Sequence, residues 1–352
     1  MSSTSVGSSL PRVRYVNLHR NPKRRAYFAS HRPGIQFDPG LDGWVVDEPT
    51  LVEKLLADRR LAAFDYAAHL RQHEAQFENL AFLGRFMPMW HEGKAHRDRR
   101  RDVANLLGER RLELQAALPA FVSNRLRPLF DVGRVEVMSE VLAPLLEDIG
   151  TILMGANPRE LGVDRISTVF DRFVGRRRLV RLDVEIGEVR AAIRRAVAPD
   201  EEREGLILVL LVLSYHSLLG TLGESLRHIF LNSGGVPLGE TAIPPSPPES
   251  GVPFVEREIR EPTTVRGHRL KEGDLVRLML QSLAYSADPA SHVGIFGVGT
   301  HACLGKRLAT DVWVLVAAEL ARLKRIITVV EYAPRRIDLV FACPDRLTVI
   351  VG

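Results

Sequence analysis

The sequence predicts a mainly α-helical protein with small β-sheets, an α+β fold. The stretch 306–323 carries apolar residues at helical spacing over a length that suits a core helix, and 48–61, 135–155 and 170–199 also have helical patterns. Shorter apolar runs at 43–46, 326–330 and 347–351 are typical of strands instead. With 352 residues, 45% of them hydrophobic and 26% charged, the chain can bury one large core.

Charge and cysteine content narrow the function classes. The 48 basic and 43 acidic residues give a net charge of +5, too small to indicate nucleic-acid binding. Two cysteines provide no disulfide framework, so a reducing cytoplasm is expected. Residues 1–12 are polar and predicted to be disordered, before a single domain at 13–352. The most apolar run, 206–213, is too short to span a bilayer, so no membrane partner is expected.

The first elements are a short strand at 43–46 and a helix at 48–61, with Leu51, Leu55 and Leu56 on one face. The stretch 77–90 that follows is rich in aromatic residues and methionine. For any single residue in this stretch, packing in the core is the favoured interpretation.

A strongly basic helix start occupies 94–101. His96 and Arg100 are four residues apart, so they share one helical face, and both can donate to a carboxylate. An alternative is that the whole run is a solvated basic face. Arg97, Arg99 and Arg101 remain free to form a surface that docks an acidic partner. The middle of the chain is predicted to be helical at 135–155, with a break near Pro144, and again at 170–199.

The segment from Phe296 to Gly305 has the pattern of a tight loop that stabilises a cysteine thiolate. Gly297 and Gly299 can adopt positive φ, which lets the backbone fold around a sulfur atom. Cys303 precedes a predicted helix, whose N-terminal partial charge is expected to lower the pKa of the thiol. The alternative is a buried structural cysteine in front of an ordinary helix. The apolar stripe of that helix consists of Ala309, Val312, Val316, Leu320 and Leu323.

The pattern Phe-x-x-Gly-x-His-x-Cys-x-Gly, followed by Ala309, resembles the heme-binding loop of the cytochrome P-450 family. The resemblance covers most of 43–352 and is strongest over 252–323, where 256–276 looks like the family's strand, turn and strand. It implies the family fold and heme b, with the Cys303 thiolate as axial iron ligand. The missing N-terminal anchor makes the chain similar to the soluble bacterial members.

The resemblance also implies roles for other residues. The heme propionates would be held by His96, Arg100, Arg257 and His301, and Phe296 would pack beside the sulfur. The remaining cofactor-loop positions are Gly297, Gly299 and Gly305. The substrate pocket would be shaped by Phe82, Phe86, Met87 and Leu213.

Two family features are altered in this chain. The resemblance implies that 205–230 is the long helix of the family, which carries a glycine kink, an acid and a threonine that relay protons. At that place, 213–217, the alcohol survives as Ser217 and His216 replaces the acid. Both residues are therefore catalytic candidates, because histidine can carry protons near neutral pH. The alternative is that His216 is simply hydrogen-bonded inside a helix bundle.

The second altered feature is the family's Glu-x-x-Arg helix and the meander before the cysteine loop. At the expected place Ile243 replaces the arginine, and the proline-rich 244–248 cannot continue a helix. The meander is reduced to six residues before Phe296. Glu224 and Arg227 have the Glu-x-x-Arg spacing but lie upstream of that place. The fold is therefore expected to be truncated in the meander and also in the lid region.

The resemblance implies a heme-thiolate oxidoreductase, a monooxygenase or peroxygenase that acts on a small organic molecule in bacterial secondary metabolism. Ferredoxin and ferredoxin reductase would be its redox partners. The altered relay leaves peroxide-driven oxidation or rearrangement on heme open. An alternative is a degenerate auxiliary protein that stabilises a partner biosynthetic enzyme such as a glycosyltransferase. A hydrolase with Cys303 as nucleophile is a third, weaker interpretation, because no base or oxyanion arrangement can be placed.

Overall fold

The computed structural model describes residues 26–28, 33–65, 77–171, 173, 175–197, 200–286, 288–335 and 340–352. The predicted disorder of 1–12 lies outside the described residues. The α-helices are Pro49–Leu56 (α1), Glu78–Phe86 (α2), Gly93–Glu109 (α3), Arg111–Leu126 (α4), Ala143–Met154 (α5), Arg176–Ala196 (α6), Glu201–Asn232 (α7), Leu280–Ala284 (α8) and Lys306–Leu320 (α9). The strands are Ile35–Asp38 (β1), Gly43–Val46 (β2), Leu61–Ala63 (β3), Gly133–Glu136 (β4), Val255–Ile259 (β5), Thr263–Val265 (β6), His268–Leu270 (β7), Leu275–Leu278 (β8), Ile327–Pro334 (β9) and Pro344–Val351 (β10).

The longest helix, α7, begins earlier than the predicted 205–230 because its first turn is capped and acidic. The Asp200 carboxylate accepts a hydrogen bond from the backbone N–H of Arg203 at 2.8 Å. Three glutamates in the first turn complement the helix dipole. By length and composition α7 could cross a membrane, but 78% of its most apolar window is buried inside the protein, as in a core helix. The predicted mainly helical fold with small sheets is confirmed.

A five-stranded sheet has the order β1-β2-β8-β5-β3. The pair β2 and β8 is parallel and the other pairs are antiparallel. The predicted strand, turn and strand at 256–276 form β5, the hairpin β6–β7 and β8. In this register Arg257 lies opposite both Val276 and Ala63, which fixes its position in the middle of the sheet.

A second sheet of order β4-β10-β9 contains the two predicted C-terminal strands, both longer than expected. The helix predicted at 135–155 is wrong at its start, because Val135 and Glu136 belong to β4 and pair with β10. A π-helical turn at Met138–Leu142 follows, and α5 then begins around Pro144. It ends where Gly155 adopts a φ of 79°.

The helix predicted at 48–61 is also too long. The carboxylate of Asp58 accepts a hydrogen bond from the backbone N–H of Arg60 at 3.0 Å, which makes a turn after α1. Leu61 then begins β3 instead of extending the helix. The arginine-rich stretch 170–199 contains the shorter α6, and the helix predicted at 306–323 is α9.

The core surrounds α7 and α9. On the predicted stripe of α9, Val312, Val316, Leu320 and Leu323 are fully buried. Helix α6 is joined to α7 by the buried carboxylate of Glu204, which pairs with Arg190 at 2.6 Å and Arg194 at 2.9 Å. Between α7 and the segment before α9 the core opens into a cavity.

Candidate functional site

The cavity has a volume of about 340 Å³ and is bounded by α7, α3, β5 and the segment Phe296–Gly305, called the Cys303 segment below. Most of its lining is apolar. The apolar and aromatic side chains of the lining include Phe64, Met89, Trp90, Phe170, Leu210, Leu213, Phe254, Leu280, Phe296 and Phe341. Such a cavity suits a bulky ligand with an extensive apolar surface.

The Cys303 segment folds as a tight loop along one wall. The backbone N–H of Cys303 donates to the carbonyl of Phe296 at 2.7 Å, which closes the loop. Gly297 and Gly299 have φ of 74° and 77°, a conformation that side chains rarely adopt. A Cβ on Gly299 would also lie 3.3 Å from the carbonyl oxygen of Leu56. The two predicted positive-φ glycines are therefore present, and they bring the loop close to the end of α1.

The thiol of Cys303 lies at the N-terminus of α9, as predicted, but its pKa is not lowered. The surface that Cys303 exposes lines the cavity. Burial among protein atoms raises the pKa of the thiol, and this outweighs the backbone N–H groups of Gly305 and Lys306, which act in the other direction. The prediction of a lowered pKa is wrong for the protein alone, because sequence position does not reveal the desolvation.

Four basic side chains meet beside this loop. His96 and Arg100 extend from one face of α3, Arg257 from β5 and His301 from the loop, and all four line the cavity. The rings of His96 and His301 have centroids 4.1 Å apart. Arg100 donates from Nη2 to the carbonyl of Ala302 at 2.8 Å. The structure thus brings together the residues that the sequence assigned to one cofactor.

Burial and mutual repulsion lower the pKa values of the basic residues in this cluster. Burial lowers the pKa of Arg257 to about 10. Burial, with the neighbouring charge of Arg257, lowers the pKa of His301 to about 3. The pKa of His96 is lowered first by burial and then by Arg100. An anion bound among these groups would relieve the repulsion and favour their charged forms.

The residues present fit heme, which carries two carboxylates on an apolar macrocycle. Nε2 of His96 is buried and has no hydrogen-bond partner among the described residues. The Glu92 carboxylate lies 3.6 Å from Nε2 of His301 and raises the pKa of His96 and of Arg257, but burial outweighs it in both. The Glu256 carboxylate of the described lining is paired with Arg277 at 2.8 Å. Anionic groups at the cluster, an apolar ring in the cavity and a thiol in the wall are mutually compatible.

Helix α7 contributes Leu213, Ser214 and Ser217 to the cavity lining. The Ser217 hydroxyl donates to the carbonyl of Leu213 at 2.7 Å. His216 points away from the cavity lining. Its Nε2 lies 3.3 Å from the carbonyl of Val163, and its Nδ1 accepts a hydrogen bond from Arg335 at 2.7 Å. Of the two predicted relay residues, the structure brings only Ser217 to the cavity.

Three predicted pocket residues, Phe82, Phe86 and Met87, are buried in the helical core and do not belong to the described lining. The guanidinium of Arg190 lies 3.5 Å from the ring centroid of Phe82. Phe86 packs so closely on Gly205 of α7 that a Cβ there would lie 2.3 Å from the ring. Leu213 of the same predicted set does line the cavity.

The resemblance implied that the 82–90 loop shapes the pocket, but it did not single out the residues of that loop that line the cavity. Met89 and Trp90 belong to the same aromatic-rich run as Phe82, and they reach the cavity through the 3₁₀ turn Pro88–Trp90. Only the point at which the helix ends separates the residues that line the cavity, Met89 and Trp90, from those buried in the core, Phe82, Phe86 and Met87. Phe170 and Phe341, with ring centroids 6.1 Å apart, come from distant parts of the chain and carry no local signal.

The Glu-x-x-Arg spacing in α7 forms a buried unit. Glu224 pairs with Arg227 at 3.6 Å and accepts a hydrogen bond from the Tyr332 hydroxyl at 2.7 Å. The guanidinium of Arg227 lies 4.0 Å from the Tyr332 ring centroid. At the place expected for such a pair, the chain has a short 3₁₀ turn, Leu238–Glu240, and then a loop. The predicted loss of the Glu-x-x-Arg helix at this later place is confirmed. The unit of Glu224, Arg227 and Tyr332 instead joins α7 to β9.

No protein-family model matches the sequence, and no curated protein matches it. Among solved structures, the chain is similar to P450BioI in complex with an acyl carrier protein ligated to hexadec-9Z-enoic acid. The identity is 18%, the TM-score is 0.71, and the match covers 96% of this chain and 99% of that one.

It is also similar to the cytochrome P-450 RauA, in complex with a biosynthetic intermediate of aurachin RE, at 18% identity and a TM-score of 0.68. The match covers 96% of this chain and 100% of that one. A cytochrome P-450 from Novosphingobium aromaticivorans gives 16% identity and a TM-score of 0.70, over 96% and 98% of the two chains. Similarity at this identity over nearly full length is similarity of fold, and the chain therefore has the cytochrome P-450 fold.

Proposed function

We propose that the chain is a heme-thiolate oxidoreductase that acts on a small organic molecule. The observation that carries the proposal is the cluster of His96, Arg100, Arg257 and His301 beside Cys303, in the wall of one apolar cavity. These four residues would hold the propionates and Cys303 would ligate the iron. When bound there, heme would supply the redox-active iron for oxidation of the substrate.

Residues of the loop would orient the group and protect it. The closed loop, held by the Cys303 N–H on the Phe296 carbonyl, keeps the thiol facing the cavity. The backbone N–H groups of Gly305 and Lys306 favour the thiolate, because both act to lower the pKa of the thiol. Deprotonation of Cys303 would accompany iron binding, since a metal ligand must be the anion.

The α7 residues at the cavity support a reaction that depends less on a proton relay than oxygen activation does. Ser217 lines the cavity, but its hydroxyl donates to carbonyls of its own helix. His216 is held by Val163 and Arg335 on the other side of α7. We therefore favour a peroxide-driven oxidation or a rearrangement over oxygen activation with ferredoxin and ferredoxin reductase. A cytoplasmic, bacterial role in secondary metabolism is part of the proposal.

The absorption spectrum after titration with hemin tests the proposal. The wild-type chain is expected to bind one hemin and, once reduced under carbon monoxide, to show the strongly red-shifted Soret band of thiolate ligation. Cys303→Ala should lose that band, while Cys343→Ala, which removes the other, buried cysteine, should keep it. Failure to take up stoichiometric hemin, or uptake with an identical spectrum in Cys303→Ala, would contradict the proposal.

A second candidate function is that of an auxiliary protein that stabilises a partner biosynthetic enzyme. It is favoured by the position of His216 outside the cavity and by the loop in place of the Glu-x-x-Arg helix. A colourless protein that co-purifies with another enzyme and binds no hemin would support this candidate. A hemin complex sensitive to Cys303→Ala would oppose it.

A further inference from the structure

We propose that the cavity selects an uncharged, largely apolar molecule that presents a hydroxyl or N–H donor to Ser214 and Ser217. This inference rests on the proposed function, because it names the substrate class of the same site. The inference also specifies which partner donates the hydrogen bond between substrate and protein. The two serines would act as hydrogen-bond acceptors, so the substrate must supply the hydrogen.

The first step is the position of the hydroxyls. Ser214, Ser217 and Thr221 follow one another at spacings of three and four, so they lie along one face of α7. All three line the cavity. Leu210, Leu213 and Leu218 surround them in the same wall. The hydroxyls therefore form a narrow polar row in an apolar surface, an arrangement that orients a ligand by a few polar contacts.

The second step is the state of each hydroxyl. Ser214 donates to the carbonyl of Leu210 at 2.6 Å, and Ser217 donates to that of Leu213 at 2.7 Å. Each hydroxyl has one hydrogen, which these bonds use, and oxygen lone pairs remain for a ligand. Thr221 differs, because it donates to the carbonyl of Ser217 and also accepts from the N–H of Gly251. Ser214 and Ser217 are therefore the acceptors of the row.

The third step is charge. The ionisable groups in the described part of the lining are His96, Arg100, Glu256, Arg257, His301 and Cys303. The rings of His96 and His301 have centroids 4.1 Å apart, Arg100 donates to the carbonyl of Ala302 beside them at 2.8 Å, and Arg257 and Cys303 belong to the same lining. Glu256 is paired with Arg277. The α7 residues of the lining carry no charge. A charged substrate placed against α7 would lose its hydration without a counter-ion, which disfavours it.

The test compares two probes with the same carbon skeleton, para-tert-butylphenol and its methyl ether para-tert-butylanisole. The phenol can donate a hydrogen bond and the ether can only accept one. Binding is measured by isothermal titration calorimetry to the full chain, with and without bound hemin. The variants are Ser214→Ala and Ser217→Ala. Ser139→Ala serves as control, because Ser139 is exposed and far from the lining.

We expect the phenol to bind the wild type about fivefold more tightly than the ether, the effect of one net hydrogen bond. Because the phenol has one O–H, the variant that removes its acceptor, Ser214→Ala or Ser217→Ala, should abolish that preference by weakening the phenol about fivefold, with the ether unchanged and Ser139→Ala without effect. In the hemin-bound chain, para-tert-butylbenzoate should bind at least about tenfold more weakly than the phenol, since its charge finds no partner.

Equal binding of phenol and ether, equal weakening of both by the serine variants, or no binding of either probe would overturn the inference. Tight binding of the benzoate to the hemin-bound chain would also overturn it. The two proposals fail separately. A chain that takes up no hemin contradicts the heme function, whereas the phenol and ether titrations of the hemin-free chain still decide the role of the serines.

Discussion

Nη1 of Arg335 donates a hydrogen bond across 2.7 Å to Nδ1 of His216, which joins the end of β9 to the middle of α7. Because Nδ1 accepts this bond, the proton of the neutral ring lies on Nε2 and faces the carbonyl of Val163 at 3.3 Å. Arg335 also reaches Asp164 at 3.3 Å. The histidine at the predicted relay position therefore stabilises the fold on the side of α7 away from the cavity.

Replacing His216 with alanine should lower the free energy of unfolding by about 2 kcal/mol, because a buried hydrogen bond is lost and a cavity remains. Urea unfolding of the hemin-free chain measures this change. Leu112→Ala is the control, since Leu112 is 82% exposed and its truncation should cost under about 0.5 kcal/mol. An unchanged unfolding free energy for His216→Ala would contradict the structural role.

The same histidine predicts a pH dependence of stability. Burial and then the charge of Arg335 lower the pKa of His216 from the usual 6.5 of histidine to about 4. Between these values the unfolded chain binds more protons than the folded chain, so the stability present above about pH 6.5 is lost as pH falls towards 4. Asp164 opposes part of this shift, and the carbonyl of Val163 does so too.

Unfolding free energies of the wild type and His216→Asn, measured from pH 7 to pH 4, isolate this contribution from that of other groups. The wild type should lose up to about 1.4 kcal/mol per pH unit more than the variant. Parallel curves for the two proteins would show that His216 does not titrate differently on folding.

Arg257→Met should raise the free energy of unfolding of the hemin-free chain and lower its affinity for hemin. Arg257 is 7% exposed, and its guanidinium donates to the backbone carbonyl of Glu256 and has a pKa lowered by burial. An apolar side chain of similar length removes that buried charge, so the hemin-free chain should become more stable by about 1 kcal/mol. Hemin affinity should fall about tenfold, because one charge-assisted contact to a propionate is lost. Lower stability with unchanged hemin affinity would contradict this expectation.

The unit of Glu224, Arg227 and Tyr332 predicts a graded loss of stability. Glu224 is 1% exposed, so Glu224→Ala leaves the Arg227 charge without its carboxylate and should cost about 3 kcal/mol. Tyr332→Phe removes the hydroxyl but keeps the ring beside Arg227, and should cost about 1 kcal/mol. Urea unfolding measures both. Equal effects of the two variants would show that the ion pair contributes little beyond the tyrosine hydrogen bond.

Local pattern determined much of the fold and part of the candidate site. Periodicity located α9, because a buried helix requires apolar residues at its own repeat, whereas α7 was located through the resemblance to the cytochrome P-450 family. The spacing of His96 and Arg100 placed both on one face of α3, and Gly297 and Gly299 were predicted at positions that do have positive φ. These predictions depend on backbone geometry over a few residues, which the sequence encodes directly.

Tertiary structure decided the direction and environment of individual side chains. Helical periodicity did not reveal that His216 faces Arg335, or that Phe86 packs on Gly205, because both contacts join residues more than 100 positions apart. The pKa of the Cys303 thiol depends on how many protein atoms surround it, and that number is set by the packing of several elements around one cavity. The sequence determined which groups are present, and long-range packing determined which of them meet.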